Sequence, residues 1–206
     1  MTSELPPLTD NPDNQHSPES SSLAKLALLD RELLTREEIK TVFENVPLIV
    51  LADDEPPIQR MAFNVVRMAR QDRNAVVALR GNMTQCFDAA QEFNGNKLPM
   101  IFCDDGTQAR EAVQIICERG IPFGIVALDE LMGDPRGMTI FREFDGEIPP
   151  EMTKILQSGG TPKDIVSCLE EGIVDAHVNK FTRDALPVIA RAYLRKTFLK
   201  SPESNS

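Results

Sequence analysis

At 206 residues with 41% apolar side chains, the chain can bury one full core and a small appendage. Its formal charge of -10 and the lack of a basic cluster in mid-chain exclude a general binder of nucleic-acid backbones, which needs grouped Lys and Arg. No run reaches the roughly eighteen apolar residues of a membrane span, and "MTSELPPLTDNPDNQ" carries acids and prolines where a secretion signal needs basic and then apolar residues, so a cytoplasmic protein with no membrane contact is expected.

Residues 1–21 are Pro, Ser, Asn and Asp with little to bury, and read as a disordered tail, as do residues 201–206. A helical extension over 22–46 follows. "LAKLALLDRELL" has leucines at helical spacing, and "TREEIKTVFENV" opens with Thr35 and Glu38 in capping-box register. One bent helix or two short ones fit, and the extension either packs on the main domain or forms a homodimer surface. "PLIVLADD" is a buried strand ending in acids; "PPIQRMAFNVVRMARQ" is the next helix, with Pro57 in its first turn. "LPMIFCDD", "FGIVALD", "MTKILQS" and "DAHVNK" are further strands, each followed by helical sequence. In "TPKDIVSCLEEG", Thr161 reads as N-cap, Pro162 as N1, Asp164 as N3 and Gly172 as the stop, while Asp184 is expected to cap a last helix with Pro187 in its first turn. The basic run Arg191, Arg195, Lys196 and Lys200 suits that helix's C-terminus. Cys86, Cys103, Cys117 and Cys168 lack the short paired spacing of metal ligands and read as reduced core thiols.

Apolar strands alternating with helices indicate an α/β fold, a doubly wound parallel sheet of five strands with an N-terminal helical extension. Ligands of such sheets collect at the strand C-termini. Polar residues close four of the strands: Asp53 and Asp54, Asp129, Ser158, and Lys180. Three acids at one rim repel one another and suit a hard divalent cation, Mg²⁺, held by oxygen ligands. A carboxylate, a hydroxyl and an ammonium around that ion suit phosphoryl transfer, with Asp129 as the nucleophile.

Over residues 47–200 the chain resembles the receiver domain of the two-component response-regulator family, whose fold is flavodoxin-like. An acidic pair closes the first strand in "VLADDEP". Asp129, Met132 and Gly137 match the family's D-x-x-M and its glycine eight positions on, and Ser158 and Lys180 keep the family's 22-residue interval. The resemblance implies phosphorylation of Asp129 by a histidine kinase or histidine phosphotransfer protein. It also implies Mg²⁺ on Asp53, Asp54, Asp129 and the Leu131 backbone carbonyl, Ser158 and Lys180 as catalytic partners, His177 at the switch position, and signalling through contact with a downstream protein target. A buried or half-buried core histidine is the plainer reading of His177.

Two features depart from the family. Gly133 and Phe181 stand where it has prolines, and a non-proline cis bond at 181 would cost about 3 kcal/mol, so the lysine loop is expected to differ. About thirty extra residues over 71–98, including "NAVVALR" and "NMTQCFDAAQEFN", read as an added strand or helix, or as a long excursion. A competing register, with "NAVVALR" as second strand, would make Asp104 or Asp105 the acceptor, but it puts Ala112 where glycine is needed. The chain ends six residues after Lys200 with no DNA-binding module, so output by protein contact is expected, and no enzyme activity. An aspartate-nucleophile phosphatase of the haloacid dehalogenase type has an acid two positions after its nucleophile, where this chain has Leu131. A pseudo-receiver, an unphosphorylated protein-interaction module, is the alternative.

Overall fold

Six short strands form a single parallel sheet in the computed structural model, which describes residues 34–72, 74–93, 95, 97–160 and 164–198. They are β1 (Ile49–Ala52), β2 (Val76–Leu79), β3 (Leu98–Cys103), β4 (Gly124–Asp129), β5 (Met152–Gln157) and β6 (Ala176–Val178). Every residue of β1, β3, β4 and β5 is buried, as expected for strands covered by helices on both faces.

The strand order is β2-β3-β1-β4-β5-β6. The expectation of five strands is therefore corrected to six. "NAVVALR" is the added one, paired at the sheet edge with β3. Of its four residues only Val76 is buried, which gives it a weaker apolar signature than the central strands. Without β2, the order β3-β1-β4-β5-β6 is the flavodoxin-like 2-1-3-4-5 arrangement, with the topological switch between β1 and β4.

Seven α-helices are described: α1 (Arg36–Asn45), α2 (Pro56–Arg70), α3 (Met83–Gln91), α4 (Gly106–Arg119), α5 (Gly137–Glu143), α6 (Ile165–Glu170) and α7 (Leu186–Phe198). The 71–98 insertion thus holds a strand and a helix, α3, capped by Asn82 accepting from Gln85 N over 3.1 Å. The Thr35–Glu38 capping box forms at the start of α1. Val42 and Phe43 are buried, Tyr193 Oη donates to Asn45 O over 3.1 Å, and Arg70 donates to Phe43 O over 3.1 Å, so α1 packs on α2 and α7.

Two helix starts differ from expectation. α6 begins at Ile165, and Asp164, in the cap position, makes no side-chain cap; Thr161 and Pro162 lie outside the described residues. Asp184 falls inside a 3₁₀ turn (Arg183–Ala185) that leads into α7, so Thr182 occupies the cap position. Pro187 is in the first turn of α7, where its missing N–H is harmless. The expected tails and residues 22–33 of the extension lie outside the described residues. All four cysteines are free thiols, three of them buried and Cys117 half-buried. No helix among the described residues is long and apolar enough to cross a membrane.

Candidate functional site

β1 and β4 run side by side in register, Ala52 opposite Leu128, so the residues that follow share the sheet's C-terminal rim. Asp53 is fully buried, Asp129 is 3% exposed and Asp54 is exposed. One carboxylate oxygen from each can be chosen so that all three lie within 4.8 Å of one another. Like charges this close, with little water, need a counter-charge. Lys180, two residues beyond β6, supplies it: Nζ donates to Asp129 Oδ2 over 2.9 Å and to Asp53 Oδ2 over 3.0 Å, with Glu55 Oε1 at 3.7 Å. Burial pushes the Asp53 carboxyl above the usual aspartate value, and the hydrogen bonds from Lys180 and the Glu55 N–H offset this only in part. For Lys180, burial works against the ammonium, but the bonds to Asp129 and Asp53 outweigh it and hold the amine above the ordinary lysine value.

Ser158 follows β5 and is buried beside this cluster, yet its hydroxyl serves other partners: Gly160 O, and His177 Nε2 at 3.1 Å. A hydroxyl has one proton to give. If Gly160 O takes it, His177 Nε2 is the donor to Ser158. The His177 ring is half-buried, and burial lowers its pKa against a smaller opposing effect of a bond with the Gly160 backbone. Leu131, in the loop after β4, is 64% exposed, whereas Met132 is buried. Glu130 ties that loop to α5 by accepting from Met138 N over 2.9 Å. Gly137 is required by a close approach: a Cβ there would sit 2.7 Å from Asp129 O.

The competing register does not hold. "NAVVALR" lies at the sheet edge beside β3 and not beside β1, Asp105 caps α4, and Asp104 accepts from Gln59 and Arg80. Nor is the lysine loop cis: among the described residues the cis peptide is Asp134–Pro135, and Lys180 meets both carboxylates without a proline after it.

Two buried glutamines belong to the site although no motif announces them. Gln59 Nε2, with two protons to give, lies 2.5 Å from Asp53 O, 3.0 Å from Asp104 Oδ1 and 3.2 Å from Cys103 O, so one proton is shared between two acceptors. Its Oε1 accepts from Arg80, at the end of the added strand, whose guanidinium lies 4.4 Å from the centre of the Phe102 ring. Gln157 Nε2 donates to Ala52 O over 3.0 Å, and its Oε1 accepts from Phe181 N over 3.1 Å. The available signal was positional: Gln59 falls on the buried stripe of α2 with Ala62 and Val66, and Gln157 ends a strand otherwise buried throughout.

An all-oxygen donor set of two buried carboxylates and one exposed one, with a single ammonium to balance them, suits a hard cation such as Mg²⁺.

No protein-family model matches the sequence, and no curated protein matches it. Among solved structures, the adenylate cyclase from Rhodopirellula baltica is 16% identical, with 76% of this chain and 93% of that one covered and a TM-score of 0.48. A response regulator receiver domain protein from Clostridium thermocellum is 18% identical, with 74% of this chain and 98% of that one covered and a TM-score of 0.44.

Proposed function

We propose that this receiver-like chain is a phosphoacceptor response regulator, taking a phosphoryl group from a histidine kinase or histidine phosphotransfer protein onto Asp129. The observation that carries the reading is the Lys180 ammonium held between buried carboxylates from the ends of two adjacent strands, 2.9 Å from Asp129 and 3.0 Å from Asp53. Buried charges with perturbed pKa values cluster at functional sites, which supports the reading.

In the reaction, an oxygen of Asp129 attacks the phosphorus, the P–N bond of the donor phosphohistidine breaks, the imidazole leaves with its electron pair, and an acyl phosphate forms. Asp53, Asp54, Asp129 and the Leu131 carbonyl would hold Mg²⁺, which when bound supplies positive charge beside the phosphoryl oxygens. Lys180 follows the negative charge from the carboxylate to the phosphoryl group. The Ser158 hydroxyl turns from Gly160 and His177 to the same group. That exchange frees His177 and biases the segments carrying Ser158 and Lys180 between two arrangements, the electrostatic step of a switch read by a downstream protein. The protein works in the cytoplasm as a switch and not as a turnover enzyme, with no nucleic-acid or membrane partner.

Incubation with Mg²⁺ and acetyl phosphate, followed by intact mass, tests the reading. One phosphate should be gained by the wild type and none by Asp129→Asn. No gain in the wild type, or a gain that persists in the variant, overturns it in favour of an unphosphorylated interaction module.

A further inference from the structure

Gln157 is the last residue of β5, in register with Asp129 of β4, and is fully buried. An aliphatic side chain would suit that position by burial alone, as at neighbouring Ile155 and Leu156. The amide instead joins the backbone of two other segments. Its Nε2 reaches Ala52 O, on the residue before Asp53, and its Oε1 takes the N–H of Phe181, the residue after Lys180. Its own carbonyl accepts from Glu130 N over 2.8 Å, on the residue after Asp129, and Ser158 is its chain neighbour. Gln157 thus bonds to a neighbour of the buried acid, of the acceptor and of the lysine, and it precedes the hydroxyl.

Lys180 needs such an anchor. Four rotatable bonds separate its ammonium from the backbone, so its reach to Asp53 and Asp129 depends on where the peptide begins. The buried Phe181 ring sets the depth of the loop, and a planar amide with one fixed donor and one fixed acceptor sets the position of the following peptide relative to β1. A proline at 181 would have no N–H to give. The departure from the family at this position and the polar residue at 157 are therefore two halves of one device.

We propose that Gln157 is the positioning residue for Lys180, holding the lysine loop to the end of β1 so that the ammonium sits between Asp53 and Asp129. Its consequence for phosphoryl transfer rests on the reading in the preceding subsection; the positioning itself does not.

The test uses the full chain without Mg²⁺ and the near-isosteric Gln157→Met. Lysine acylation mapped by mass spectrometry should rise about tenfold at Lys180 in the variant, as expected for loss of a buried hydrogen bond. Exchange of the Phe181 amide should accelerate to a similar degree, while Lys154, a nearly buried lysine in a separate ion cluster, keeps its labelling rate. Unchanged Lys180 labelling, or a parallel rise at Lys154, overturns the proposal. Should the variant fail to fold, wild-type exchange decides: a Phe181 amide as fast as an open loop amide overturns it, and a protected one supports it. A wild type that takes no phosphate from acetyl phosphate, alongside a selective rise at Lys180 in the variant, would end the phosphoacceptor reading and leave the positioning role standing.

Discussion

Lys180 Nζ donates to Asp129 Oδ2 over 2.9 Å, joining residues 51 positions apart at the ends of two strands that are not neighbours in the sheet. The same nitrogen holds Asp53, so removing it leaves two buried carboxylates facing one another. Lys180→Met should destabilise the metal-free protein by about 3 kcal/mol, the usual cost of stripping one partner from a buried pair. Magnesium should restore part of that loss. Urea unfolding in chelator and in millimolar Mg²⁺ measures both effects; a variant as stable as wild type in chelator would contradict the arrangement.

Gly137 allows the start of α5 to approach the carbonyl of Asp129. The Cβ of Gly137→Ala would lie 2.7 Å from that oxygen, so β4 or α5 must move apart. A loss of about 2 kcal/mol is expected, typical of overpacking. Under the proposed function, acetyl-phosphate labelling of Asp129 should slow with it, because the shifted atoms belong to Asp129 itself. Calorimetry and a labelling time course check the two together.

Leu131 lies two residues beyond Asp129, the proposed acceptor, and is 64% exposed. If its apolar side chain covers an acyl phosphate on Asp129, it hinders the water that would hydrolyse it. The phosphorylated state should therefore be long-lived, and Leu131→Asn should shorten it by about tenfold, a barrier change near 1.4 kcal/mol. Phosphate-loss kinetics followed by intact mass decide this; a wild-type half-life of seconds would refute it.

Tyr193 ties α7 to the end of α1 through its bond to Asn45 O. Burial pushes its phenol from 10.0 up to about 12. Between those values the folded state keeps a proton that the unfolded state has lost, so this group's contribution falls as pH rises through that window. Below it, Tyr193→Phe should cost about 1 kcal/mol for the lost hydrogen bond. The gap between wild type and variant, followed by denaturant unfolding from pH 8 upward, should close above pH 10 and reverse sign before pH 12.

Much of the architecture was legible before any coordinates. Fully buried parallel strands leave continuous apolar runs, so "LIVLA", "PMIFC" and "GIVAL" stand out, while "MTKILQ" shows only Ile155 and Leu156 between polar residues, and Thr35 with Glu38 satisfies a helix start through groups three residues apart. The strand-end acids, serine and lysine were likewise readable, because in a parallel sheet one rim collects the C-terminal ends. β2 was ambiguous since an edge strand buries only part of its surface. The starts of α6 and α7 differ from expectation: Asp164, expected three residues into its helix, stands in the cap position without capping, and Asp184, expected to cap, lies inside a 3₁₀ turn.

By itself, then, the sequence determined five of the six strands and which polar side chains arrive at their ends, since both follow from local periodicity and from the rule that parallel strands point one way. Only the tertiary structure decided that Arg80 of the added strand supports Gln59, that Gln157 spans from Ala52 to Phe181, and that the Ser158 hydroxyl faces His177. A buried amide or hydroxyl takes whatever partner the packed neighbours present, and no spacing along the chain encodes that choice.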